Sequence, residues 1–214
     1  MTARAGRPKG DSGARQQLIA SARKMFTALP YEKVSTRMIA SAANVSPALI
    51  NYYFVGKAGL FEEMLRETME PVREFLGLIS ANPSMRTNSV ETFMRTYYRA
   101  VIPNPDLPKL VMRVMSDSEA SQRPMIEQML KDMIDRVQRY MFSSPGLMND
   151  LQAGVDPLRA KMTVMSLTMF PFLVPESMLR LHGFSLDENF LNTLLDHNIQ
   201  VLKKGMLSSD TGGL

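Results

Sequence analysis

Two short helical segments separated by a turn of about four residues lie between Ser35 and Tyr53, and this spacing restricts the fold more than any other feature. Ser35 or Thr36 is placed to cap the first segment, Arg37 to Ala43, with Met38, Ile39 and Ala42 on its apolar face. Asn44 follows, a residue that tolerates the left-handed backbone a sharp inter-helix turn demands. Ser46-Pro47 then reads as a cap and first helical position, because proline there gives up an N–H that would be unpaired anyway. Upstream, Leu18, Ile19, Ala22, Met25, Phe26 and Leu29 recur at spacings of three and four, an amphipathic helix from Ser12 that Pro30 stops. Two short helices packed on a longer one form a helix-turn-helix.

The remainder is helical as well. After a break at Val55-Gly56, a long helix begins near Lys57, with Leu60, Phe61, Met64, Leu65, Val72, Leu76 and Ile79 in period. Pro71 is expected to kink or divide it. Further helices are expected over Val90 to Ile102, Leu107 to about Ser116, and Pro124 to Phe142. The last of these presents Met125, Met129, Met133 (or Ile134), Val137 and Met141. Asp156-Pro157 opens a helix to Leu181, bent by Pro171 and Pro175 and ended by Gly183. Asp187 to Lys204 closes the chain, with Gly205 as its stop. No alternating strand pattern and no repeat occurs, so the architecture is all-α.

Charge is unevenly distributed. Residues 1–57 hold nine basic and two acidic side chains, and residues 58–214 hold 16 basic and 19 acidic ones. A basic segment on a near-neutral body is the footprint of a polyanion binder, because neutralising phosphates releases counterions. The absence of cysteine removes disulfides, thiolate catalysis and cysteine-ligated metal. The N-terminus has no apolar core for a signal peptide, and the longest apolar stretch, Met162 to Val174, is short of the roughly 20 residues of a membrane span. These features describe a soluble cytoplasmic protein. No phosphate-binding glycine loop, Gly-x-Ser-x-Gly elbow or His-Glu-x-x-His occurs, so no enzyme and no cofactor is expected. His182 and His197 read as surface or interface residues rather than metal ligands.

The run from Thr36 to Leu60 resembles the TetR family of one-component bacterial regulators. The matching positions are Thr36, Ile39-Ala40, Ala43-Asn44-Val45-Ser46, Tyr52-Tyr53-Phe54 and Lys57, and residues 12–61 carry the recognisable part. Asn44 stands where the family commonly has glycine, Asn51 replaces a common tyrosine and Ala48 a common glycine, so base preference does not transfer. The resemblance implies a DNA-binding domain over 12–57, preceded by a flexible basic arm (1–11) and followed by a larger effector-binding and dimerisation domain over 58–214.

The second short helix is long enough to reach a few base pairs of one major groove. Leu49 or Ile50, with Phe54, is expected to pack inward. Asn51 is the leading base reader, since an amide makes a bidentate contact to adenine; Ser46, Pro47, Ala48 and Tyr52 are further candidates. The resemblance makes Thr36, Tyr53 and Lys57 phosphate clamps, while either Tyr52 or Tyr53 packs inward. Arg37 reads equally as a clamp or a solvated charge. Gly6-Arg7-Pro8-Lys9-Gly10 resembles part of an AT-hook core that follows a minor groove, or else serves as a solubilising tail.

Of 19 methionines, all but Met1, Met25 and Met38 lie beyond residue 60. Methionine lines adaptable apolar surfaces. Met94, Tyr97, Tyr98, Met112, Met115, Met129, Met133, Met162, Met165, Met169 and Phe172 are therefore candidates for a lipophilic effector cavity, with ordinary core packing the alternative for each. Arg95, Arg99 or Arg113 could meet an anionic head group or form surface ion pairs. Leu158, Met162, Met165 and Met169 form one apolar stripe. Phe190, Leu191, Leu194, Leu195, Ile199 and Leu202 form another, too wide for a single neighbour to cover. The resemblance implies a four-helix dimer interface there.

The expected function is a homodimeric DNA-binding repressor of a pseudo-palindromic operator, partnered by double-stranded DNA and a small apolar effector. The competing reading is a helical DNA-architectural or protein-interaction module without an effector.

Overall fold

The computed structural model describes residues 11–81, 89–140 and 151–208. The described residues form α1 (Asp11–Ala28), a 3-10 turn (Tyr31–Lys33), α2 (Thr36–Ala42), α3 (Ala48–Phe54), α4 (Lys57–Ala81), α5 (Ser89–Val101), α6 (Leu107–Ser116), α7 (Arg123–Tyr140), α8 (Pro157–Leu173), α9 (Glu176–Leu181) and α10 (Glu188–Gly205). Among them the sole extended pairing is an isolated antiparallel bridge between Leu151 and Leu207. The basic arm, Met141 and Phe142, and the side chain of Ile79 lie outside the described residues.

The chain divides into two compact units between Thr68 and Met69, inside α4. The first unit extends past Lys57 because Leu60, Phe61, Met64 and Leu65 of α4 are buried, as are Leu18, Ile19, Ala22 and Phe26 of α1. α1 packs on both α2 and α3. Phe26 sits 4.9 Å from Phe61 and 5.3 Å from Tyr31, a three-ring cluster at the base of the unit. Pro71 does not divide α4, which runs through it. Proline removes one helical donor, a loss a long helix survives.

In the second unit α5 packs on α8 and α10, α6 packs on α7 and α8, and α8 on α10. Met94, Tyr97, Tyr98, Val164, Phe172, Leu191, Leu195, Ile199 and Leu202 belong to one buried cluster. One polar node inside it follows directly from the sequence. Pro171 has no N–H, so the Leu167 carbonyl one turn earlier in α8 loses its helical donor. Asn198 Nδ2 of α10 donates to that carbonyl at 3.1 Å and the Tyr98 hydroxyl of α5 at 3.3 Å. A proline in one helix thus draws two others onto its freed carbonyl. At the surface Arg95 donates to Glu91 (3.0 Å) and Asp196 (2.8 Å), and Lys203 reaches Glu91 at 2.6 Å, again joining α5 to α10.

Two expectations change here. The segment expected to run bent to Leu181 is two helices: Val174 and Pro175 are extended, with ψ 132° and 137°. Proline pushes the preceding residue out of the helical region. Gly205 is the last residue of α10 rather than its stop. The wide stripe on α10 is covered by more than one neighbour, as expected: Leu191, Leu195, Ile199 and Leu202 are buried, and α10 packs on both α5 and α8 of the same chain. On α7, Met133 and Val137 face the core and Ile134 is exposed.

Candidate nucleic-acid interface and effector core

Ser35 caps α2, its hydroxyl accepting from the Met38 N–H at 3.2 Å. The helix buries Ile39 and Ala40, with Ala43 just beyond it; Met38 and Ala42, expected on that face, are exposed. Of the three residues expected on the apolar face, only Ile39 is buried, and Met38 and Ala42 each lie one residue from a buried position. The exit has the Schellman pattern: the Val45 N–H donates to the Ala40 carbonyl (3.0 Å) and the Asn44 N–H to Ser41 (3.1 Å). Asn44 takes φ 53°, the left-handed conformation its side chain tolerates.

α3 is counted from Ala48, but Pro47 already has helical backbone (φ −56°, ψ −27°), and the Ser46 hydroxyl accepts from the Ala48 N–H at 3.3 Å. The helix divides cleanly. Ile50 and Phe54 are buried, with Leu49 half-buried, whereas Ser46, Pro47, Ala48, Asn51 and Tyr52 are exposed. Of the two tyrosines, Tyr53 is the half-buried one, its ring 4.9 Å from that of Tyr52 and 5.9 Å from Phe54. Thr36 is half-buried at the first position of α2, and Arg37 beside it is exposed.

Lys57 is engaged inside the fold. Its ammonium donates to the carbonyls of Tyr31 (3.0 Å) and Val34 (2.9 Å) and lies 3.9 Å from the centre of the Tyr31 ring. Two of its three N–H groups thus strap the start of α4 to the turn that leads into α2. Sequence reasoning saw only the ammonium near a helix start; a carbonyl-lined turn three residues before Thr36 leaves no sequence signal.

Three further residues position the interface and were not singled out from sequence. Gly59 lies so close to α3 that a Cβ there would stand 1.8 Å from the Phe54 carbonyl oxygen. Val55, between α3 and α4, is left-handed at φ 59° and almost fully exposed, a strained conformation for a β-branched residue. Arg15 of α1 binds Glu63 at 2.6 Å and also Glu67, tying α1 to α4. Desolvation lowers the pKa of Arg23, partly offset by the field of Glu67. The basic excess of this unit is smaller than the first 57 residues suggest. Glu62, Glu63 and Glu67 lie beyond that limit, giving ten basic and five acidic residues up to Thr68.

In the second unit the structure brings together Met94, Tyr97, Tyr98 and Phe172, with Met133 and Met169 packed against them. Met115 and Met129 are half-buried. Met112, Met162 and Met165 are exposed and do not line this interior. On α8 the buried positions are Ala160, Val164, Thr168, Pro171 and Phe172, so Met162 and Met165 fall on the opposite side. Leu158 and Phe170 join them there, an apolar stripe along the helix. Among the described residues no cluster could hold a metal ion, and no helix is long and apolar enough to cross a membrane.

Residues 18–64 match the model of a family described as bacterial regulatory proteins, tetR family. The chain is also similar to YttP of Bacillus subtilis (strain 168), named a probable HTH-type transcriptional regulator. They are 34% identical over 73 residues, which is 34% of this chain and 35% of YttP. The match therefore spans about a third of that relative. Two solved structures share the fold over most of the chain. NalD, the secondary repressor of the MexAB-OprM multidrug efflux pump in Pseudomonas aeruginosa, has a TM-score of 0.66 at 17% identity, covering 93% of this chain and 99% of its own. The transcriptional regulator FadR from Bacillus subtilis, in complex with stearoyl-CoA, has a TM-score of 0.62 at 15% identity, covering 89% and 98%.

Proposed function

We propose that the chain is a transcriptional regulator of the tetR family, as its match over residues 18–64 supports, and that it is a homodimeric repressor of a pseudo-palindromic operator, released by a small lipophilic effector. The observation that carries this reading is the division of α3. Its buried side fixes the helix, and its outer side offers an amide, a hydroxyl, a phenol and small apolar groups to base edges. Asn51 is the base reader, with Ser46, Pro47, Ala48 and Tyr52 beside it. Thr36, Arg37 and Tyr53 flank this face as phosphate contacts. Lys57 contributes mainly by holding the turn before α2, leaving one N–H for a phosphate oxygen.

Dimerisation is supported by exposed apolar surface on the two long C-terminal helices. α8 offers Leu158, Met162, Met165 and Phe170, and α10 adds Val201 and the half-buried Leu194. A two-fold pair of recognition helices requires an operator with matching symmetry. The lipophilic effector is supported by the aromatic and methionine interior of the second unit and by the stearoyl-CoA held by the structurally similar FadR. α4 extends from one unit into the other, so a ligand that repacks the second unit has a continuous helix through which to act on the first. Linkage then requires DNA to weaken effector binding by the same factor.

The test is fluorescence anisotropy on DNA from the protein's own upstream intergenic region, at low and physiological salt, with unlabelled random competitor. A complex that survives competitor and holds two protomers per site supports the reading. Binding to every sequence alike contradicts it and favours the architectural module.

A further inference from the structure

We propose that Val55 is a specificity-determining residue of the DNA-reading face, its side chain meeting the C5-methyl group of a thymine in the major groove. This rests on the reading of α3 as the recognition helix and adds an apolar contact to the polar ones proposed above.

Among the described residues two that are not glycine take positive φ, Asn44 at 53° and Val55 at 59°. Asn44 follows α2 and Val55 follows α3, so each closes a short helix of the same motif. The turn at Val55 is tight. α4 begins at Lys57, and Gly56 is left-handed as well, at φ 107°. Asparagine and glycine meet such a backbone at low cost, whereas a β-branched side chain is the costly choice. The chain places asparagine at the first of these turns and valine at the second. The turn requires the conformation at 55, and nothing in the fold requires valine there.

The side chain returns nothing to the core, for Val55 is 92% exposed. Among the described residues of the first unit, the exposed large apolar side chains are Met38, Tyr52 and Val55. All three lie on the two short helices or directly after them. Strain kept without any packing return belongs to positions where the side chain meets a partner. Ala48, Asn51, Tyr52 and Val55 are all exposed and stand at the i, i+3, i+4, i+7 spacing of one helical face. The Val55 N–H still donates to the Asn51 carbonyl, at 3.3 Å, so Val55 sits one turn beyond the proposed base reader. One turn is about 5.4 Å, less than two base-pair steps of about 3.4 Å each. Valine has no group for a phosphate oxygen. The apolar feature that base edges present in the major groove is the thymine methyl.

The probe is the duplex that the full-length wild-type protein selects from random DNA, with single thymines replaced by deoxyuridine, which removes only the methyl group. In competition anisotropy wild type should lose about fourfold at one thymine per half-site, within about two base pairs of the position Asn51 reads. Val55→Asn keeps the turn and removes the apolar group. It should bind thymine and deoxyuridine duplexes alike and melt about 2–4 °C above wild type, because asparagine suits the left-handed backbone. Val55→Ile keeps the apolar surface and should keep the discrimination. Discrimination that persists in Val55→Asn or is lost in Val55→Ile, no such thymine for wild type, or a Val55→Asn melt no higher than wild type overturns the assignment and leaves the DNA-reading proposal standing. Selection of no duplex by wild type counts against both.

Discussion

The two units of this chain put their informative residues on opposite sides of their surfaces. The first buries ordinary apolar groups, Leu18, Ile39, Ile50 and Phe61, and exposes the residues proposed to read DNA, Asn51 and Tyr52 among them. The second exposes ordinary ion pairs and buries its distinctive chemistry, the paired tyrosines and the Asn198–Leu167 node. A DNA reader must keep polar edges in water until they meet a groove, so a small rigid scaffold suffices. A ligand reader must first withdraw its polar groups from water, and each of them then has to be satisfied by the fold or by the ligand.

The sharpest way to break the first unit without touching its outer face is Gly59→Ala. The added methyl meets a backbone carbonyl, which cannot rotate away, so α3 and α4 must separate. Overpacking typically costs about 1–3 kcal/mol, and a clash with backbone falls at the upper end. Thermal denaturation should show the first unit melting early while the second is unaffected, and operator binding should fall with it.

Asn51→Ala should do the reverse. The side chain is exposed, so stability should stay within about 0.5 kcal/mol of wild type. Loss of a bidentate base contact should weaken operator binding by about 1–3 kcal/mol, roughly tenfold to a hundredfold, and relax preference at two symmetric positions. Competition anisotropy with single-base operator variants checks this.

Asn198→Ala is the corresponding lesion in the second unit. It leaves the Leu167 carbonyl with only the longer Tyr98 bond, at a cost of about 1–2 kcal/mol in chemical denaturation. Operator binding by the folded fraction should be unchanged, which distinguishes it from Asn51→Ala.

The smallest effect is electrostatic. Glu91 titrates below its ordinary 4.5, chiefly through its hydrogen bond to Lys203 and also through Arg95, with burial acting in the opposite direction. A depressed folded pKa stabilises the protein above the ordinary value, and that contribution disappears as pH falls through the folded one. Glu91→Gln should therefore lower the melting temperature slightly at neutral pH and converge with wild type in acid. A constant difference across the pH range would remove this account of the α5–α10 tie.

The same contrast explains what could be read from the sequence. The short helices of the first unit announce themselves through Ser35, Asn44, Ser46 and Pro47, whose backbone preferences are local and act within a turn. Their supports do not. Gly59 is needed because of a carbonyl on another helix, and Lys57 is held by carbonyls on the opposite side of α2; both depend on tertiary approach. In the second unit, helical periodicity located α5 and α6 closely, and the start of α8 but not its end. It could not rank the methionines, because α8 is apolar on both faces: Val164 and Phe172 are buried while Met162 and Phe170 are exposed. The stripe on α10 is, as its width implied, covered by more than one neighbour, and periodicity alone did not show that both neighbours belong to its own chain. Pro171 was visible as a disturbance, but not as the origin of a carbonyl that Asn198 and Tyr98 would have to satisfy.

The central claim, that the outer face of α3 reads a two-fold DNA sequence, is tested most directly by selecting bound DNA from a random pool with the wild-type protein and with Asn51→Ala. Wild type should enrich one pseudo-palindrome, and the variant should lose preference at one position in each half-site and nowhere else. Enrichment of no sequence, or an identical consensus from both proteins, would contradict the account.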